Sequence, residues 1–123
     1  MAVARERFPI TTLPTLTPQE YVRRERGSSD KHEYIDGLAV MMAGARENHV
    51  LIVGNIVQTL GAQVRKRPCK VFSSDMKVRM TPTTYAYPDV ASLCGNAEFE
   101  DDEHDILLNP QVIIEVLSSS TEN

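Results

Sequence analysis

Apolar and polar positions change period several times along this chain of 123 residues. The run TPQEYVRRERG, from Thr17 to Gly27, opens with a helix start. Thr17 reads as the N-cap, Pro18 takes the first helical position and Glu20 the third, as in a capping box. Gly27 ends the segment. HEYI and LAVMMA then flank Asp36-Gly37, a two-residue hairpin signal. After Gly44 the period lengthens. Val53, Ile56, Val57, Leu60 and Val64 recur at helical spacing, which predicts an amphipathic helix over residues 47 to 66. Gly54 and Gly61 fall on one side of it, each costing about 1 kcal/mol against alanine. A close approach of that side to a sheet would justify them. Pro68 ends the helix. VFSSDMKVRM, AYPDVASLC and PQVIIEVLS predict three further strands, and the acidic stretch GNAEFEDDEHD a solvated loop between the last two.

The order helix, hairpin, helix and three strands predicts an α/β fold in one domain. Residues 1 to 16 hold two of the seven prolines and no periodicity, which predicts an extended or disordered lead to a domain spanning residues 17 to 123. The last predicted strand is apolar on both faces, as in the middle of a covered sheet. Such a sheet needs a cover on each face, yet one long helix is visible. Ser118-Ser119-Ser120-Thr121-Glu122-Asn123 looks like the start of another helix. The expectation is a domain without its C-terminal helix and strand, or one whose missing layer comes from a partner chain.

Two predicted strands carry an acid among apolar residues. Asp89 shares a face with Ala91 and Leu93, and Glu115 with Ile113 and Leu117, because side chains alternate along a strand. A buried carboxylate without a partner costs several kcal/mol. If the two strands are neighbours, the carboxylates converge, and a divalent cation makes the pair tolerable. Mg2+ takes hard oxygen ligands, keeps several waters and typically uses one or two carboxylates plus substrate phosphate. Each acid also has a structural reading. Asp89 would be a turn residue bonded to backbone after Pro88. Glu115 would be a satisfied acid or an edge charge that blocks aggregation.

The ordered segments KHEYIDGLAVMMAG, ENHVLIVGNIVQTL, YPDVASL and NPQVIIEVLSSST resemble a restriction endonuclease family of the PD-(D/E)xK nuclease superfamily, common in bacterial genomes. The likeness runs from about Leu16 to Asn123. It implies a restriction-endonuclease-like fold, a mixed central sheet flanked by helices after a short helix and a hairpin. It also implies phosphodiester cleavage of DNA with Mg2+ or Mn2+. Asp89 matches the aspartate of the PD motif, Glu115 the second acid, and Glu33 an acidic position near the site. Asp89 and Glu115 are then the metal ligands. The superfamily's lysine, two residues after the second acid, is replaced here by Leu117. In the family it moves to a helix beyond this strand. Lys77, in Ser74-Asp75-Met76-Lys77, is the candidate substitute, although its order relative to PD departs from the motif. Its other reading is a solvated or salt-bridged strand residue.

The remaining features change this picture little. His49, one turn before Val53, either faces the metal site or a phosphate, or is a core-edge histidine bonded to a carbonyl. His32 and His104 have no ligand spacing, and the acidic loop lacks the Ca2+-loop pattern. Net charge is −4 and pI about 5.3, so any hold on DNA comes from local clusters such as Arg23, Arg24 and Arg26 or Arg65, Lys66, Arg67 and Lys70. Those clusters equally suit solvated helix faces. Cys69 and Cys94 lack CxxC spacing and read as small apolar strand residues of a reducing compartment. With no signal peptide and no membrane-spanning stretch, the cytoplasm is the expected location. Against the nuclease stand two other classes: a catalytically inactive homologue persisting as a dimer, and a module that binds DNA without cutting it.

Overall fold

A computed structural model describes residues 15 to 117. In chain order the elements are α1 (Pro18–Arg26), β1 (His32–Ile35), β2 (Leu38–Met41), α2 (Glu47–Gln63), β3 (Cys69–Phe72), β4 (Lys77–Thr81), β5 (Thr84–Ala86), β6 (Val90–Cys94), β7 (Ile106–Leu107) and β8 (Val112–Ile114). The chain divides into two compact units. The first holds the described residues up to Ala43 together with Arg79–Ala86, and the second holds Gly44–Val78 and the residues from Tyr87 onward.

In the first unit, Thr17 caps α1. Its Oγ1 accepts the Glu20 N–H at 3.1 Å and its hydroxyl donates to Glu20 Oε1 at 3.1 Å. The expected cap is therefore present, but the Glu20 carboxylate takes the threonine hydroxyl instead of a backbone N–H. The hairpin forms as its turn signal dictates. Asp36 and Gly37 have φ of 45° and 98°, both positive, as a turn with two left-handed residues requires. A Cβ at Gly37 would also collide with the Thr15 methyl. β1 pairs antiparallel with β2 on one side and with β5 on the other, and β5 in turn neighbours the last part of β4.

Three tyrosines make the heart of this unit. Tyr21 stacks on Tyr34 with ring centroids 4.9 Å apart, and Tyr85 lies 5.3 Å and 5.9 Å from them. Buried hydroxyls need partners. Tyr21 donates to the His32 carbonyl and Tyr34 to the Leu16 carbonyl. Buried Glu25 accepts the His32 N–H at 2.8 Å, and its other oxygen lies 3.0 Å from His32 Nδ1. His32 is thus an interior partner of Glu25, in keeping with its lack of ligand spacing.

In the second unit, β6 is the central strand of an antiparallel sheet of order β3-β6-β8. The first two residues of β4, Lys77 and Val78, pair in parallel with β7. Val78, Ala91, Leu93 and Leu107 form the core, with Phe72, Met76, Ala97 and Phe99 packed against it. The α2 stripe is the one the spacing predicted: Val53, Ile56, Val57, Leu60 and Val64 are half-buried, and the helix packs on β3 and β6. No residue of α2 is fully buried, however.

Several expectations are corrected. The run 71 to 80 is two strands, because residues 73 to 76 form a turn closed by the Met76 N–H on the Ser73 carbonyl at 3.1 Å. The run 86 to 94 is also two strands. Buried Pro88 has no N–H for a ladder, so β5 ends before it and β6 starts after it in a different sheet. Among the described residues β8 is an edge strand, with Val112 49% exposed, and not the middle of a covered sheet. Gly54 and Gly61 make no close approach, since a Cβ at either would meet nothing within 4 Å.

The cysteines are corrected as well. Cys69 and Cys94 face each other in the β3–β6 register and form a disulfide. The Gly95 N–H on the Pro68 carbonyl marks the adjacent pair as hydrogen-bonded. Cys69 and Cys94 therefore occupy a non-hydrogen-bonded pair, where the backbones approach most closely. The pairing was not read from the sequence because the cysteines are 25 residues apart and only the strand register brings them together.

Candidate functional site

Asp89 immediately precedes β6 and Glu115 immediately follows β8. These strands pair antiparallel with Val90 opposite Ile114, so one further step sets Asp89 opposite Glu115. Directly opposed residues share a face of the sheet. The two acids hold each other's strand. The Asp89 N–H donates to Glu115 Oε1 at 3.3 Å, and the Val116 N–H donates to Asp89 Oδ2 at 2.7 Å. The two acids are therefore neighbours across the β6–β8 pair.

The premise that both acids are buried is not met. The Asp89 side chain is 15% exposed, while Glu115 lies on the surface at the end of its edge strand. Glu115 thus avoids most of the desolvation cost that made its position look anomalous.

His49 joins the pair. It occupies the first turn of α2, and its Nε2 lies 3.3 Å from Asp89 Oδ2 and 3.0 Å from the Val116 carbonyl oxygen. The reading of His49 as a histidine bonded to a carbonyl is met, and the same nitrogen lies beside Asp89. The positive end of the helix dipole also favours an anion beside this turn. The sequence signal for this contact was the phase of His49 on the α2 stripe. The Val116 backbone left no signal.

The other candidates stand on other strands, Lys77 on β4 and Glu33 on β1. Lys77 is 3% exposed at the start of β4, with Nζ 5.7 Å from the centre of the Tyr87 ring, so of the solvated and salt-bridged readings the solvated one is corrected. The first position of a short strand over an aromatic face suits an amine with a long apolar stem. Glu33 belongs to β1 in the first unit, opposite Val40. Burial pushes its carboxyl above the ordinary value of 4.5. In the acidic loop His104 packs its ring 4.9 Å from Phe99, and Phe99 bridges to Leu107, so the loop is anchored through an aromatic residue.

Among the described residues no group of three or more His, Cys, Asp or Glu side chains is arranged to hold a metal ion. Mg2+ does not need such a group, since it often takes one or two carboxylates and completes its shell with water and phosphate oxygens. Asp89 and Glu115 offer only hard oxygens, and Asp89 Oδ1 takes neither the Val116 nor the His49 contact. The donor set fits a divalent cation of that kind. No described helix is long and apolar enough to cross a membrane.

Comparison with known proteins agrees with the likeness seen in the segments. Residues 18 to 123 match the family model described as "Uma2: Putative restriction endonuclease". An uncharacterised protein of Synechocystis sp., sll1609, is 34% identical over 112 residues, covering 90% of this chain and 63% of its own length. A second from the same organism, slr1290, is 31% identical over 115 residues, covering 93% of this chain and 60% of its own. The chain therefore spans about six-tenths of these curated relatives. No solved structure matches it.

Proposed function

Since this chain belongs to the Uma2 restriction endonuclease family and has that α/β architecture, we propose that it is a divalent-metal-dependent DNA endonuclease domain. The observation that carries the proposal is the opposition of Asp89 and Glu115 at the ends of paired strands. The two carboxylates would hold Mg2+ or Mn2+ through their oxygens. A cation there would supply charge neutralisation at a phosphodiester and a water of lowered pKa. The chain's own part is to keep two acids at a fixed separation on a sheet, so that little reorganisation is left for the reaction.

The test is relaxation of supercoiled plasmid DNA with Mg2+, comparing the chain with Asp89→Ala and Glu115→Gln. Cleavage by the parent that is lost in both variants is the expected result. Equal nicking by all three would remove the proposal.

One observation favours a second reading. Leu117 stands where the superfamily motif has its lysine and is 64% exposed. A chain without that cation would bind DNA and not cut it. Titration with duplex DNA at two salt concentrations, with no metal, separates the readings. Salt-dependent binding without later cleavage in Mg2+ would favour the second. Self-association is part of either reading. Val50, Leu51 and Ile52 on α2 and Val112 on β8 are each about half exposed, and these apolar groups suit a homodimer. Light scattering that reports a monomer at high concentration would exclude it.

A further inference from the structure

Val116 lies just past the end of β8, where the ladder no longer supplies backbone partners. Both of its backbone polar groups are nevertheless engaged by two side chains. Its N–H donates to Asp89 Oδ2 at 2.7 Å, and its carbonyl oxygen lies 3.0 Å from His49 Nε2. The same nitrogen lies 3.3 Å from Asp89 Oδ2. A ring of three contacts thus ties the first turn of α2, the entry to β6 and the exit from β8.

The chemistry of this ring fixes a proton. A carbonyl oxygen and an ionised carboxylate are acceptors only. A lone pair on His49 Nε2 would point at two oxygens, so Nε2 must carry the hydrogen. It follows that Nε2 is not itself available to a metal while the ring is closed. It also follows that Oδ2 of Asp89 takes both donors, the Val116 N–H and the His49 N–H.

We infer that His49 is the positioning residue of this centre: its Nε2–H, shared between Asp89 Oδ2 and the Val116 carbonyl, orients the Asp89 carboxylate so that Oδ1 is the oxygen presented to a divalent cation. Donors that orient a ligating carboxylate commonly change metal affinity by about 10- to 100-fold. The inference rests on the proposed metal reading for its affinity consequence, and on geometry alone for the bond itself.

The experiment compares the parent chain with His49→Gln and His49→Leu. A glutamine amide can bring an N–H donor near the place of Nε2, whereas leucine fills similar space with no donor. Two measurements are made. The first, without metal, records imidazole 15N shifts and the Val116 amide resonance. The parent should show a protonated Nε2, and the Val116 amide should move in the leucine variant while staying near its parent position in the glutamine variant. The second is calorimetric titration with Mn2+. Affinity should fall by about tenfold in the leucine variant and stay within about threefold of the parent in the glutamine variant.

An unprotonated Nε2, or a Val116 amide unmoved by leucine, overturns the inference. Parent-like Mn2+ affinity in the leucine variant overturns it too. If even the parent fails to bind Mn2+, the metal reading falls, and the resonances alone decide the bond. Should His49→Leu not fold, His49→Asn replaces it, because that amide is too short to reach either oxygen. A loss in the asparagine variant that glutamine does not share keeps the inference.

Discussion

Asp89 and Glu115 clasp each other across β6 and β8: the Asp89 N–H donates to Glu115 Oε1, and Asp89 Oδ2 accepts the N–H of Val116, the residue after Glu115. The clasp is unequal. The first bond is 3.3 Å long and ends on an exposed side chain, while the second is 2.7 Å and ends on a half-buried one.

Stability should follow that inequality. Asp89→Ala removes the acceptor for the Val116 N–H and for His49, and leaving such donors unsatisfied costs roughly 1–3 kcal/mol. Glu115→Gln is a surface change and should lie within about 0.5 kcal/mol of the parent. Urea unfolding of both variants measures this, and equal losses would contradict it.

The disulfide offers a second check. The chain has two cysteines and both are engaged, so thiol titration of unfolded, unreduced protein should find none and reduced protein should find both. Cys94→Ser should lower stability by about 2–4 kcal/mol, the usual cost of losing a bridge with a closed loop of this size. A variant as stable as the parent under oxidising conditions would show that the bridge does not form in solution.

Glu33 predicts a pH dependence with a definite sign. Burial raises its folded pKa above the ordinary 4.5. The folded protein then holds this proton more tightly than the unfolded chain does. Its favourable contribution is full below the unfolded pKa and is lost as pH rises through the folded value. Glu33→Gln, which stays neutral, should therefore gain stability over the parent at neutral pH, with the gap closing as pH falls below 4.5. Thermal melts at two pH values test this, and a gap that widens on acidification would reverse the sign.

Much of this arrangement is legible in the sequence. Period changes located α1, the hairpin and α2, because those elements depend on local signals: a threonine cap, a two-residue turn and a helical stripe. The neighbourhood of the two acids was legible as a condition: Asp89 starts one apolar run and Glu115 ends another, and antiparallel neighbours bring such opposite ends together. The breaks at Ser73–Met76 and Pro88 were missed, since strand-like residues flank both while the chain changes sheets between them. The disulfide, the Val116 backbone ring and the exposure of Glu115 were hidden for one reason. Each depends on which strand lies at the edge and on register, which are properties of the pairing and not of any one segment.

The most direct measurement is a crystal grown or soaked with Mn2+ and examined at the manganese absorption edge. Anomalous density within coordination distance of both Asp89 and Glu115, absent from crystals of Asp89→Ala, is the expected result. Well-ordered carboxylates with no density between them at millimolar Mn2+, or density elsewhere alone, would contradict a metal-holding pair.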